Sequence, residues 1–305
     1  MRRVMTQDWL GAHVSAQGGV DNAPARGAAI GATAIQVFTK TPSQWREPSL
    51  GPEVAARFRR ECGLNGLQAV VSHDSYLINL ASPDPVLSAR SADAFMAELG
   101  RCRALGIRWL VSHPGNYIDD RQAGLARNAA AYARCLAAVS RGPMVLLECT
   151  AGSGTALGAT FEELAELRRR IPPPLRRRIG FCADTCLLYS AGYDLVGDFD
   201  GVWAHWDRVI GLRHLRVMHL NDSKTPFHSR RDRHALIGEG SLGPEPFRRI
   251  MTDPRFARVI RIIETPKGDD EVTMDRKMLR RLRRYALGPA RRQSVAPGDA
   301  SADLS

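Results

Sequence analysis

Eight short apolar runs recur along the chain, and each is followed by a longer segment whose apolar residues return every three or four positions. The runs span Leu10–Val14, Thr33–Phe38, Leu67–Ser72, Ile107–Ser112, Met144–Glu148, Ile179–Asp184, Leu215–His219 and Val259–Glu264. Their Val, Ile and Leu content, with little polar alternation, predicts strands buried on both faces, as in a parallel sheet. The intervening segments predict helices over Asn22–Ile30, Glu53–Cys62, Pro85–Leu105, Leu125–Ser140, Phe161–Arg170, Val202–Ile210, Pro246–Thr252 and Asp275–Tyr285. Gly106 suits a C-cap for the third helix, and Pro172-Pro173-Pro174 stops the fifth. Strand–helix alternation repeated eight times is the pattern of a (β/α)8 TIM barrel, an α/β fold of roughly 250 residues. The expected organisation is an N-terminal extension (1–9), one barrel domain (10–287) and a tail without apolar periodicity (288–305), expected to be disordered.

Six of the runs end in, or are followed directly by, a residue that can ligate a metal: His73, His113, Glu148, Asp184, His219 and Glu264. Parallel strands converge at their C-terminal ends, where α/β folds place their chemistry. One His at a strand end is most simply a hydrogen-bonded core histidine, but six such positions in one chain are not independent accidents. Neutral imidazole nitrogen with anionic carboxylate oxygen suits Zn²⁺, and also Mn²⁺ or Fe²⁺. A Glu can bridge two ions about 3.5–4 Å apart, the arrangement that clamps a phosphoryl group. Asp232-Arg233-His234 offers a further oxygen and nitrogen, or else a charged solvated loop. Asp222 and Lys224, just past His219, are candidates for orienting ligands or holding phosphate. Gly238-Glu239-Gly240 predicts a tight turn whose backbone approaches the site.

Charge narrows the partners. The formal net charge is +11, and of the 43 basic residues only Lys40, Lys224, Lys267 and Lys277 are lysines. Arginine forks match phosphate, and a basic surface concentrates polyanions, although solubility alone also accounts for such a surplus. Six cysteines without a C-x-x-C pair are expected to be buried free thiols in a reducing compartment. The N-terminus lacks the apolar stretch of a secretory signal, and no apolar run is long enough for a bilayer. A cytoplasmic protein without membrane contact is the expectation.

The strings at these strand ends resemble the endonuclease IV family of apurinic/apyrimidinic (AP) endonucleases, over about Leu10 to Tyr285. They include Gly11-Ala12-His13-Val14-Ser15, Phe38-Thr39-Lys40, His73-Asp74-Ser75-Tyr76-Leu77-Ile78-Asn79-Leu80 and Ser112-His113-Pro114-Gly115. Glu148-Cys149-Thr150-Ala151-Gly152, Asp184-Thr185-Cys186, Met218-His219-Leu220-Asn221-Asp222-Ser223-Lys224, Asp232-Arg233-His234 and Ile263-Glu264-Thr265 extend the match.

The resemblance implies a TIM barrel with a trinuclear zinc site, in which Glu148, Asp184 and Glu264 carry the catalytic centre. The first ion would take His73, His113 and Glu148. The second would take Glu148, Asp184, His219 and Glu264. The third would take Asp232, His234 and a His at the position held here by Leu187. Leu cannot ligate a metal, so the expectation is two Zn²⁺ ions and a weak or absent third, with His228 as a conceivable substitute. The resemblance further implies a monomer acting on abasic double-stranded DNA at the nucleoid. It would hydrolyse the phosphodiester 5′ to the lesion to leave a 3′-OH, and remove 3′-blocking groups. Tyr76 and Leu77 match residues inserted into the minor groove, and Lys40 and Gln44 lie in a DNA-contacting loop. In that loop Ser43 replaces the family's Arg, with Arg46 nearby. Arg230 and Arg233 are expected to contact DNA and to supply part of the third ion's charge. Two other readings use the same residues: a metal-dependent sugar isomerase or epimerase on the same barrel, and a non-cleaving damage-binding homologue degraded at Leu187.

Overall fold

The computed structural model describes residues 8–287; the expected disordered tail at 288–305 lies outside them. Eight parallel strands close into a barrel: Leu10–His13, Ala34–Val37, Ala69–His73, Trp109–Ser112, Met144–Glu148, Ile179–Asp184, Leu215–His219 and Ile260–Ile263. Each strand pairs with its sequence neighbours, and Leu10–Ala12 close the ring against Arg261–Ile263. This is the expected TIM barrel. Asp8 and Trp9, at the end of the N-terminal extension, contact it: Asp8 pairs with Arg283, and Trp9 packs beneath the inner core.

Strand side chains alternate between two cores. Ala34, Ala69, Val71, Val111, Leu146, Cys182, Val217, Ile260 and Ile262 fill the barrel interior. A larger layer lies between the sheet and the helices, where Trp206 packs edge-on against Phe161 and Phe181. The period of two places Val71 below His73, Leu146 below Glu148, Cys182 below Asp184, Val217 below His219 and Ile262 below Glu264. The strand-end candidate ligands are therefore the top layer of the inward-facing stack.

Several helices begin where a side chain caps them. Asp84, Asp120, Thr160, Asp198 and Asp270 each accept from backbone N–H groups in the first turn of the helix that follows. These caps explain helix starts earlier than apolar spacing predicts: Arg121 rather than Leu125, Phe199 rather than Val202, and Glu271 rather than Asp275. Gly106 closes helix Pro85–Leu105 in the left-handed conformation, φ 74°. Features with no counterpart in the sequence reading include a helix at Thr185–Ala191 directly after the sixth strand, and a ladder pairing Asp222–Ser223 with His234–Ala235. All six cysteines are free thiols, five of them buried. No helix among the described residues is long and apolar enough to cross a membrane.

Candidate metal centre

The C-terminal mouth of the barrel holds a cavity of about 500 Å³. Its wall includes His73, His113, Glu148, Asp184, Asp232, His234 and Glu264. Glu148 is the hub. Its Oε2 lies 3.2 Å from His73 Nε2 and 3.3 Å from His113 Nε2, and its Oε1 lies 2.6 Å from His219 Nδ1. His219 Nδ1 is also 3.2 Å from Glu264 Oε2 and 3.9 Å from Asp184 Oδ2. Ligand atoms around a tetrahedral ion bonded at about 2.1 Å stand roughly 3.4 Å apart. The two groups His73/His113/Glu148 and Glu148/Asp184/His219/Glu264 each fit a divalent cation, with Glu148 common to both.

The electrostatics say the same. Burial alone would raise the Glu148 carboxyl, but His219 and His113 hold it well below its usual value. Burial opposes protonation of His73 and His219, yet the surrounding carboxylates raise them to about 10 and about 9. Burial raises Asp184 to about 7 against the pull of His234, with Glu148 adding repulsion. Burial lowers His113. Without a cation, protons on imidazoles must balance the buried carboxylates, and a metal would displace them.

Neighbouring groups hold these ligands in place. Asp184 Oδ1 caps helix Thr185–Ala191 by accepting from Cys186 N at 2.7 Å and Leu187 N at 3.0 Å. Its Oδ2 accepts from Asn221 Nδ2 at 2.7 Å, while Asn221 Oδ1 accepts from Glu264 N at 2.8 Å. The buried amide of Gln36 lies between His219 and Glu264, with His13 beside it. The sequence reading missed Gln36, Asn221 and His13. The available signal was a polar residue at an inward position of the apolar run Ala34-Ile35-Gln36-Val37, and an Asn two residues past a ligand.

His234 Nε2 is 3.2 Å from Asp232 Oδ1 and 3.6 Å from Asp184 Oδ2, but well aligned for a hydrogen bond with neither. Leu187 stands on the same wall, nearly fully buried. His228 packs against Gly192 and is not among the residues lining the cavity, so it is not placed to stand in for the His that the resemblance expects at 187. Cys186, unnoticed as a donor in the sequence, has its thiol within 4.8 Å of ligand atoms of Asp184 and His234. Asp222 is no ligand: buried, it accepts from Ser223 N, Gly240 N and Leu242 N at 2.8–3.0 Å and shapes the loop behind His234. Lys224 lines the cavity.

The expected DNA-contact residues divide. Tyr76 is 69% exposed with its ring edge-on to Phe38 at 5.2 Å, at the cavity rim. Leu77 is half-buried, and Ser43, Gln44 and Arg46 are exposed. Lys40 is instead committed to Glu47 Oε1 at 2.7 Å and the Gln44 carbonyl at 2.8 Å, so it fastens its loop. Arg233 lines the cavity, whereas Arg230 is exposed on the outer loop and is not among the lining residues. A second cavity, of about 700 Å³, shares His13 and Phe38 with the first and runs past Lys40, Arg57 and Arg101.

Comparison with known proteins agrees with this geometry. Residues 24–285 match the family model described as xylose isomerase-like TIM barrel. The probable endonuclease 4 of Chloroflexus aurantiacus (strain ATCC 29366 / DSM 635 / J-10-fl) is 47% identical over 284 residues, covering 92% of this chain and 98% of the relative. That of Geobacter sulfurreducens is 46% identical over 281 residues, 90% and 94% of the two chains. The crystal structure of endonuclease IV from Thermus thermophilus superposes with a TM-score of 0.81 at 35% identity, covering 90% of this chain and 98% of that one. With likeness of that extent in both sequence and barrel, the chain belongs to the endonuclease IV family.

Proposed function

We propose that this protein is a metal-dependent AP endonuclease of DNA base excision repair. It cleaves the phosphodiester 5′ to an abasic site in double-stranded DNA to leave a 3′-OH, and removes 3′-blocking groups. The reading is carried by the division of the two Glu148 oxygens between the His73/His113 side and the His219 side of the barrel mouth, in a chain of the endonuclease IV family. Two Zn²⁺ ions, on His73/His113/Glu148 and Glu148/Asp184/His219/Glu264, would supply Lewis-acid polarisation of a phosphodiester and acidify water there.

The chain's own residues do the rest. Glu148, Asp184 and Glu264 fix the anionic floor on which the scissile phosphate is oriented. Arg233 and Lys224, on the cavity wall, offset the negative charge of the phosphate as it enters. Tyr76 and Leu77 stand at the lip as a wedge that offsets part of the few kcal/mol needed to unstack a duplex step. At the third position Asp232 and His234 remain, but Leu187 removes one ligand, so that site is weak. The protein acts as a monomer on nucleoid DNA in the cytoplasm.

Elemental analysis of purified protein, run beside incision of a duplex carrying one abasic analogue, tests this. Two equivalents of zinc with cleavage on the 5′ side is the expected result. Three equivalents would mean that another group, with Cys186 nearest, completes the third set. Binding to the abasic duplex without incision would turn the reading toward a damage-binding protein, as the loss of a ligand at Leu187 allows.

A further inference from the structure

Gln36 is the single polar residue of the strand Ala34–Val37, and it is fully buried. Its amide nitrogen lies 2.6 Å from Glu264 Oε1 and its amide oxygen 2.8 Å from His219 Nε2. An ionised carboxylate can only accept, which fixes the amide with its NH₂ toward Glu264. The amide oxygen then faces His219 Nε2, so that ring nitrogen must donate a hydrogen. In the neutral ring Nδ1 is left with the lone pair, and Nδ1 is the atom that faces Glu148, Glu264 and Asp184 at 2.6, 3.2 and 3.9 Å. A lone pair aimed at three carboxylates is unfavourable by itself and favourable around a shared cation.

We propose that Gln36 is a positioning residue of the metal centre: it selects the His219 tautomer that presents Nδ1 to the cation and holds Glu264 in the same ligand set. This rests on the metal-centre reading above and adds the group that preorganises one half of it. The partner of a metal-ligating His is often a carboxylate or a backbone carbonyl, and losing it commonly costs 10–100-fold in affinity. A neutral amide does the same here without adding a fourth negative charge to Glu148, Asp184 and Glu264. It also donates to one ligand while accepting from another, which neither a carboxylate nor a carbonyl can do.

The test is zinc affinity of the full chain by competition with a chromogenic chelator, for wild type, Gln36→Met and Gln36→Glu. Gln36→Met keeps the volume and removes both hydrogen bonds. It is expected to weaken one zinc equivalent by roughly 10–100-fold and the other by less, and to lower the melting temperature of the metal-free protein, because Glu264 and His219 lose buried partners. A slowly exchanging imidazole N–H signal in the NMR spectrum of the zinc-loaded wild type is expected to vanish in this variant. Gln36→Glu keeps the acceptor for His219 but must hold a proton between two carboxylates to keep the Glu264 contact, so its deficit is expected to widen as pH rises. A Gln36→Met competition curve that overlays wild type overturns the proposal. So does an equal loss of both equivalents, the mark of a merely structural role. Wild type that holds zinc but leaves abasic duplex intact overturns the nuclease reading and leaves the role of Gln36 standing.

Discussion

Asn221 Nδ2 donates to Asp184 Oδ2 at 2.7 Å, and both side chains are fully buried. The same Asn accepts from the backbone N–H of Glu264 at 2.8 Å, so one amide couples two candidate ligands on different strands. Asn221→Leu, similar in size, leaves a buried carboxylate oxygen and a buried N–H without partners. Each such loss costs about 1–3 kcal/mol. The expected outcome is a lower urea midpoint in metal-free protein and weaker zinc retention; an unchanged midpoint would show that Asp184 has another donor to turn to.

Leu187 occupies the cavity wall beside Asp232, His234 and Asp184 with its own backbone N–H bonded to Asp184 Oδ1. Leu187→His puts an imidazole there without disturbing that cap. The expected outcome is one additional equivalent of bound zinc by elemental analysis and faster incision of abasic duplex. Equal metal content in variant and wild type would mean that the wild-type set is already complete, or that the added ring faces elsewhere.

His214 gives a pH dependence remote from the metal centre. Burial, then repulsion from Arg168, Arg213 and Arg216, lowers it from 6.5 to about 4. Between those values the unfolded chain binds a proton that the folded chain does not, so stability falls as pH drops from about 6.5 to about 4. His214→Gln removes that contribution. The melting temperatures of the two proteins should coincide at pH 7.5 and diverge in favour of the variant as pH is lowered; a constant gap across the range would rule out the titration of His214 as the cause.

Gly240 passes so close to the Asp222–Ser223 ladder that a Cβ would stand 2.4 Å from the Ser223 carbonyl oxygen and 2.5 Å from Asp222 Oδ1. Neither can retreat, since one is backbone and the other is held by the N–H groups of Ser223 and Leu242. Gly240→Ala is expected to cost about 1–3 kcal/mol, several degrees in Tm, and to disturb the loop behind His234. Gly63→Ala is the control: it lies inside helix Pro52–Leu64 with open space around it, so the same change should stabilise by up to about 1 kcal/mol. A loss in both variants would discount the close approach as the reason.

The barrel and the layer of candidate ligands at its mouth were legible because both placements follow from one periodicity. An inward residue two positions above Val71, Leu146 or Val217 must reach the mouth, and there the chain has His73, Glu148 and His219. Helix starts at Arg121, Phe199 and Glu271 were read too late, because the caps Asp120, Asp198 and Asp270 act through single hydrogen bonds that apolar spacing does not register. Gln36, Asn221 and Cys186 were not legible as parts of the site, since their meaning depends on groups far away in sequence: Gln36 meets Glu264 across 228 positions. Lys40, in a candidate DNA loop, is paired with Glu47 seven positions on, a partner that a basic residue read by itself does not announce.

Tyr76 separates binding from folding. Its side chain is 69% exposed, and its ring contacts are with Phe38 at 5.2 Å and His73 at 6.4 Å. An aromatic ring with so little covered area adds little to stability, so Tyr76→Ala should leave the melting temperature and the zinc content close to wild type. In the nuclease reading the ring meets the unstacked duplex at the cavity lip, and base–aromatic contact is worth about 1–3 kcal/mol. The dissociation constant for an abasic duplex, measured by fluorescence anisotropy at fixed salt, should rise about tenfold or more, while that for an undamaged duplex changes less. Tyr76→Phe should restore most of the affinity, because the stacking face is kept and only the hydroxyl is lost. If Tyr76→Ala bound both duplexes as wild type does, the lip would not be where the lesion is read, and the larger cavity past Lys40, Arg57 and Arg101 would be the place to look for the DNA path.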